Sequence, residues 1–161
     1  MRRKIFYLLI LTMVETIACQ KTQDKAEATA VGENDIEGVW EFVSGEYVSP
    51  DTTIERTQAD WNAIKIISDS HFATVGQKPN RPKFIMGESD KETVEAFSTF
   101  SANGGTYTIL GSTYTEHLSY FLNPNRVNET ASINYQLEQE RLILTVEAGD
   151  VVWRETWKRL E

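Results

Sequence analysis

The chain has 161 residues, 16 Lys+Arg against 24 Asp+Glu, and a formal net charge of −8. That balance excludes a nucleic-acid binder, since neutralising phosphates takes a basic stripe, and it excludes adhesion to anionic lipid by charge. A single cysteine, Cys19, excludes an intrachain disulfide and a cysteine-based metal site.

The first element is the segment 1–18. Arg2, Arg3 and Lys4 precede an apolar run from Ile5 to Val14. Ten helical residues span about 15 Å, roughly half a bilayer core, which is too short for a lasting span and suits a signal segment. Thr16-Ile17-Ala18-Cys19 resembles a bacterial lipoprotein cleavage box, with Thr16 where that family usually has Leu. The resemblance implies removal of residues 1–18, a lipid such as palmitate on Cys19, and a membrane partner reached through that lipid. The 143 residues that remain would hold 13 Lys+Arg and 23 Asp+Glu, a net charge of −10. Gln20 after the cysteine implies the outer membrane by the same resemblance, with the membrane face left open. The alternative is a buried apolar helix with an inert cysteine. Residues 19–35 are polar without apolar periodicity and read as a flexible tether, or as a short surface helix.

From Ile36 the apolar pattern takes period two, and turn residues recur. Strands are expected at 38–48, 61–68, 71–77, 105–110, 113–121, 131–138, 141–147 and 151–160. Gly111-Ser112, Gln139-Glu140 and Gly149-Asp150 are short enough to be hairpin connections. Residues 36–161 therefore predict one all-β domain, an eight-stranded up-and-down antiparallel barrel, since closure removes exposed edges. Ser89 with Glu92 forms a capping box, followed by Val94, Ala96, Phe97 and Phe100 on one side, and Asn103-Gly104-Gly105 as a stop, with Gly104-Gly105 reading as a helix stop or a bulge. This predicts a short helix between the third and fourth strands. It would cover a barrel mouth as a lid, or pack on the outer wall.

Gly38-Val39-Trp40 opens the first strand and resembles the Gly-x-Trp signature of the lipocalins and their calycin relatives. In that family an Arg on the last strand packs across the Trp; Arg159 is the best match here, with Arg154 as the alternative. A guanidinium on an indole face keeps its hydrogen bonds in the ring plane. Residues 104–117 and the ending Trp157-Lys158-Arg159 further resemble small lipocalin-like lipoproteins of the Bacteroidetes type. The resemblance implies a ligand cavity without saying which ligand.

A two-residue turn at Gly111-Ser112 sets the register of its hairpin. Ile109 then faces Tyr114, Tyr107 faces Glu116, and Thr106 faces His117. The more apolar face, holding Tyr107, Tyr114, Glu116, Leu118 and Tyr120, points inward and leaves His117 outside; a one-residue slip exchanges them. Glu116 beside Tyr107 forms either an acid/base pair or a structural hydrogen bond. His71 follows the 68–70 turn near a rim and serves as a general base or sits solvated. Glu155 between Trp153 and Trp157 needs a partner, Arg159 or Lys65, in a salt bridge closing the barrel end. Trp61, Trp153 and Phe72 form a ligand platform or plain core. His71, His117 and Glu116 lack a short metal-ligand spacing, so no metal is expected, and no cofactor motif occurs.

Three functions fit these residues. The first is a lipid-anchored envelope protein holding a small amphipathic or saccharide ligand in its barrel. The second is a lyase or dehydratase on uronic-acid oligosaccharides. It would use His71 or Tyr107 as base, Glu116 or Tyr114 as acid, and Lys65 or Arg159 as the carboxylate clamp, and it requires a His and a Tyr to converge in one cavity. The third is a partner-binding lipoprotein without a small ligand, marked by a long exposed apolar patch.

Overall fold

A computed structural model describes residues 36–83, 85 and 89–161. The signal segment 1–18, Cys19 and the tether lie outside the described residues. The strands are β1 (Gly38–Ser49), β2 (Thr52–Thr57), β3 (Asn62–Ile67) and β4 (His71–Gln77), followed by helix α1 (Asp90–Ser98). After it come β5 (Phe100–Leu110), β6 (Thr113–Phe121), a 3-10 turn at Pro124–Arg126, β7 (Thr130–Glu138), β8 (Arg141–Ala148) and β9 (Val151–Arg159). Among the described residues no helix is long and apolar enough to cross a membrane.

Every neighbouring pair is antiparallel, and β1 also pairs with β9, so eight strands close into an up-and-down barrel. The three expected hairpins form with two-residue turns, pairing Leu110 with Thr113, Glu138 with Arg141, and Ala148 with Val151. Gly111, Gln139 and Gly149 each take positive φ there, which the tight turns require.

Closure carries its own lock. Trp40 pairs with Arg159 across the β1–β9 seam, and the guanidinium lies 4.2 Å from the indole centroid. Arg159 donates to the Glu37 carbonyl, and Trp40 Nε1 donates to the Ile36 carbonyl at 2.8 Å. Gly38 has φ +138°, and a Cβ there would come within 2.6 Å of Arg159 Nη1. The glycine of Gly-x-Trp is thus the space in which the arginine lies.

Four features differ from the sequence reading. β2 was not expected. All six of its side chains are exposed, so it lacks the half-buried alternation that marks a strand. It pairs with the half of β1 from Ser44 to Ser49, while β3 takes Gly38–Glu41. The strand β5 starts at Phe100, not Gly105, because α1 already ends at Thr99, whose N–H bonds the Ala96 and Phe97 carbonyls. Gly104-Gly105 is therefore strand with a register shift; a Cβ at Gly105 would collide with the His117 carbonyl. The shift reverses the alternation of β6 beyond Leu118, so Phe121 faces in and Tyr120, expected inside, is 76 % exposed. Finally, Ser89 caps α1 as expected, accepting from Glu92 N, but the helix buries only Ala96. Val94 and Phe97 stay exposed, and no described residue of α1 lines the barrel cavity.

Gly105→Ala should lower stability by about 2 kcal/mol or more, since a methyl meets backbone that cannot yield. Gly111→Ala, strained in φ but open in space, should cost about 1 kcal/mol. Urea unfolding of the two variants checks the order.

Candidate functional site

Side-chain size changes along the barrel axis. The closed end is filled by Trp40, Phe72, Tyr114, Tyr135, Leu142 and Trp157, all buried. Toward the other end the inward positions carry Ala63, Gly76, Ser101 and Ala131, and the barrel opens into a cavity of about 520 Å³. This lies within the roughly 300–1,000 Å³ usual for small-molecule sites.

The cavity floor is an ion pair. Lys65 Nζ stands 2.5 Å from Glu116 Oε1, and both residues are 4 % exposed. Lys65 from β3 and Glu116 from β6 face inward by strand alternation, as the hairpin register predicts for Glu116. The ammonium is also ringed by Phe72, Tyr114 and Trp157, with ring centroids at 5.2, 5.6 and 5.9 Å. Contact with the carboxylate and three ring faces offsets the cost of taking the charges out of water. The Tyr114 hydroxyl lies beside Glu116 but completes no hydrogen bond of normal geometry. Burial first, then the Glu116 charge, push its ionisation well above the ordinary phenol range.

The wall above the floor mixes aromatic and polar groups. Lys65 pairs with Thr74 and Thr74 with Asn103, so three polar side chains run side by side across β3, β4 and β5. Thr74 Oγ1 and Asn103 Oδ1 are buried and have no hydrogen-bond partner in the protein. Glu155 is anchored differently from the expected salt bridge. Its two oxygens accept from Trp153 Nε1 at 2.9 Å and Trp157 Nε1 at 3.1 Å, and it lines the cavity. Arg159 serves the closed end and Lys65 serves Glu116, so neither reaches it. Trp61 lies against Gly76, where a Cβ would come within 2.6 Å of the indole. At the mouth, Arg56 sits over Trp153 at 5.4 Å, and Arg126 sits over Phe121 at 4.9 Å while pairing with Glu129 at 2.7 Å.

Of the expected platform, Trp61 and Trp153 line the cavity, together with Lys65 and Glu155. Phe72 does not: it packs edge-on to Tyr114 beneath the floor, with centroids 6.3 Å apart. Tyr107 does face Glu116 across the strands, yet its hydroxyl donates to the Ser68 carbonyl at 2.6 Å, at the closed end. Burial, then the Glu37 and Asp69 charges, raise its ionisation. The Tyr107–Glu116 acid/base pair is therefore not assembled. Both histidines are on the outer wall: His71 is exposed beside Ser70 Oγ, and His117 is half-buried and, by alternation, turned away from Glu116. Among the described residues no three His, Cys, Asp or Glu side chains gather to hold a metal. Thr74, Asn103, Arg56 and Arg126 were not expected at the site. Alternation from Lys65 could have found Thr74; Arg126 lies in a turn without periodic signal.

Lys65→Met should destabilise the barrel by roughly 3–5 kcal/mol, because Glu116 is left charged and alone in the interior. The double variant K65M/E116L should recover most of that loss, and denaturant melts of the three proteins check it. Tyr114→Phe removes an unpaired buried hydroxyl and should be neutral or stabilising by up to about 1 kcal/mol in the same assay.

No protein-family model and no curated protein matches the chain. Among solved structures, it is similar to a lipocalin-like protein from Bacteroides uniformis, with a TM-score of 0.45 and 12 % identity over 78 % of this chain and 99 % of that one.

Proposed function

We propose that the chain is a lipid-anchored protein of the bacterial cell envelope, on the outer membrane, that binds a small amphipathic or saccharide ligand in its barrel. A lipocalin-like barrel suggests ligand binding, and the observation that carries the reading is the cavity of about 520 Å³. It is walled by indoles and ends in polar atoms that lack partners. A barrel meant only as a scaffold gains about 25 cal/mol per Å² of apolar surface by filling such a space. Keeping it open, with polar groups facing in, favours an occupant.

The elimination chemistry on uronic acids has less support. It requires a His and a Tyr to converge in one cavity, and both imidazole rings are on the outer wall. The partner-binding reading draws on Ile64, Ile66 and Val75, which are exposed on the outside of β3 and β4. Three side chains are a small share of the roughly 800 Å² per partner that a stable interface buries.

Two measurements test the proposal. The neutral apolar dye N-phenyl-1-naphthylamine should bind the full chain saturably with one site. Ala131→Phe, which fills the cavity beside Glu116, should abolish binding without unfolding the barrel. Equal binding by both proteins would place the dye elsewhere and remove the cavity from the reading. Expressed in a bacterium, the chain should take up an alkynyl palmitate label and partition with membranes, and Cys19→Ala should do neither.

A further inference from the structure

The two sides of the cavity differ in chemistry. From β3 to β6 the inward side chains are mostly polar: Lys65, Thr74, Ser101, Asn103 and Glu116. From β7 through β9 to β1 they are mostly apolar: Ile133, Leu144, Val146, Trp157 and Phe42. Ala63 and Phe121 are apolar members of the first side, and two further residues cross the division. Glu155 on the apolar side has both oxygens engaged by indole N–H groups, and Trp61 leans over Gly76 on the polar side.

Such a cavity selects by shape as well as polarity. A flexible acyl chain would satisfy the apolar side and leave Thr74 Oγ1 and Asn103 Oδ1 buried without partners. A flat ring with hydroxyls along one face and C–H along the other meets both sides at once. Hydroxyls donate to Asn103 Oδ1 and exchange hydrogen bonds with Thr74 Oγ1, and the C–H face lies on the aromatic wall.

The mouth adds a charge requirement. Arg56 and Arg126 both line the cavity at its rim. Arg56 rests over Trp153, and among the described residues no carboxylate lies within ion-pair distance of it. Arg126 is shared with Glu129, which an entering anion would compete against. Guanidinium forks suit carboxylate and sulfate groups, and Lys65 within is already neutralised by Glu116.

Resting on the binding reading above, we propose that the ligand is a rigid ring molecule with one apolar and one hydroxylated face. It carries an anionic group at its outer end, which Arg56 and Arg126 meet at the mouth. Hydroxylated steroid acids and short uronic-acid oligosaccharides share this chemistry, and the test separates them.

Displacement of N-phenyl-1-naphthylamine from the full chain is measured with five probes: cholate, its methyl ester, digalacturonate, digalactose and laurate. One of the two acids should displace the dye roughly tenfold better than its neutral counterpart, the effect of two exposed charge contacts. The acid that succeeds identifies the source. That margin should vanish in R56A/R126A, shrink in high salt and reverse in R56E, all exposed rim variants that leave the core intact. Asn103→Leu should weaken the acid about tenfold relative to the dye measured on the same variant, the size of one lost buried hydrogen bond. Dye binding with laurate equal to both acids overturns the two-faced ring. Dye binding with acids equal to their neutral counterparts overturns the anionic end. Dye binding that no probe displaces overturns the ligand class while the binding reading stands. Absence of dye binding overturns the binding reading, and this inference with it.

Discussion

Arg159 lies over the Trp40 indole at the one seam where the sheet meets itself, between its first and last barrel strands. Everything else about the barrel follows from that meeting. Without the β1–β9 pairing the strands would form an open sheet with two hydrogen-bonding edges and an exposed apolar face. The stack places a permanent cation where its charge is spread over a ring face and its N–H groups reach the Glu37 carbonyl. It works because Gly38 has no side chain to occupy the same volume. Gly38 and Trp40 at the start of the barrel and Arg159 at its end therefore act as one device, and the rest of the interior is packed on the closed end they make.

The interior then divides along the barrel axis. Large aromatic and aliphatic side chains fill the closed end, and glycine, alanine and serine positions leave the other end hollow. The boundary is Lys65 with Glu116, a buried pair held by contact and surrounded by three rings. Such pairs are poor sources of stability, since well-packed apolar residues of equal volume do as well or better. Its place at the base of a cavity with unpaired polar atoms therefore fits recognition better than packing. Glu155 repeats the theme with neutral donors: two indoles give their N–H groups to one carboxylate, fixing both ring planes against the cavity.

Catalytic elements are sparse in this arrangement. The hydroxyl of Tyr107 is spent on Ser68, that of Tyr114 is held neutral by burial, and the histidines look outward. What faces the cavity is a set of fixed charges and aromatic surfaces, suited to holding a molecule in one orientation. The arginines at the rim extend that logic, since charge at a mouth orients an entering ligand before the walls engage it.

Wherever local chemistry is decisive, the amino-acid sequence determined the outcome by itself. Period-two patterning and short turns defined eight barrel strands and three hairpins, and the Gly111-Ser112 turn gave the register with Glu116 inside and His117 outside, which a one-residue slip would have exchanged. Ser89 with Glu92 defined the start of the helix, and the resemblance carried by Gly38-Val39-Trp40 pointed to Arg159, with Arg154 as the alternative, for the closure. Only the tertiary structure decided what depends on neighbours distant in the chain. β2 was invisible because neither of its faces is buried, leaving no alternation to read. Tyr120 turned outward because the register of β5 and β6 shifts between Gly104 and Gly105, where the backbone of β6 comes so close that only glycine fits. The partners of Glu155 and Lys65 depended on which side chains meet across the barrel, and the cavity on the summed volumes of residues from every barrel strand. A strand's own pattern says which side chains face inward; how much space they leave is a property of the closed barrel alone.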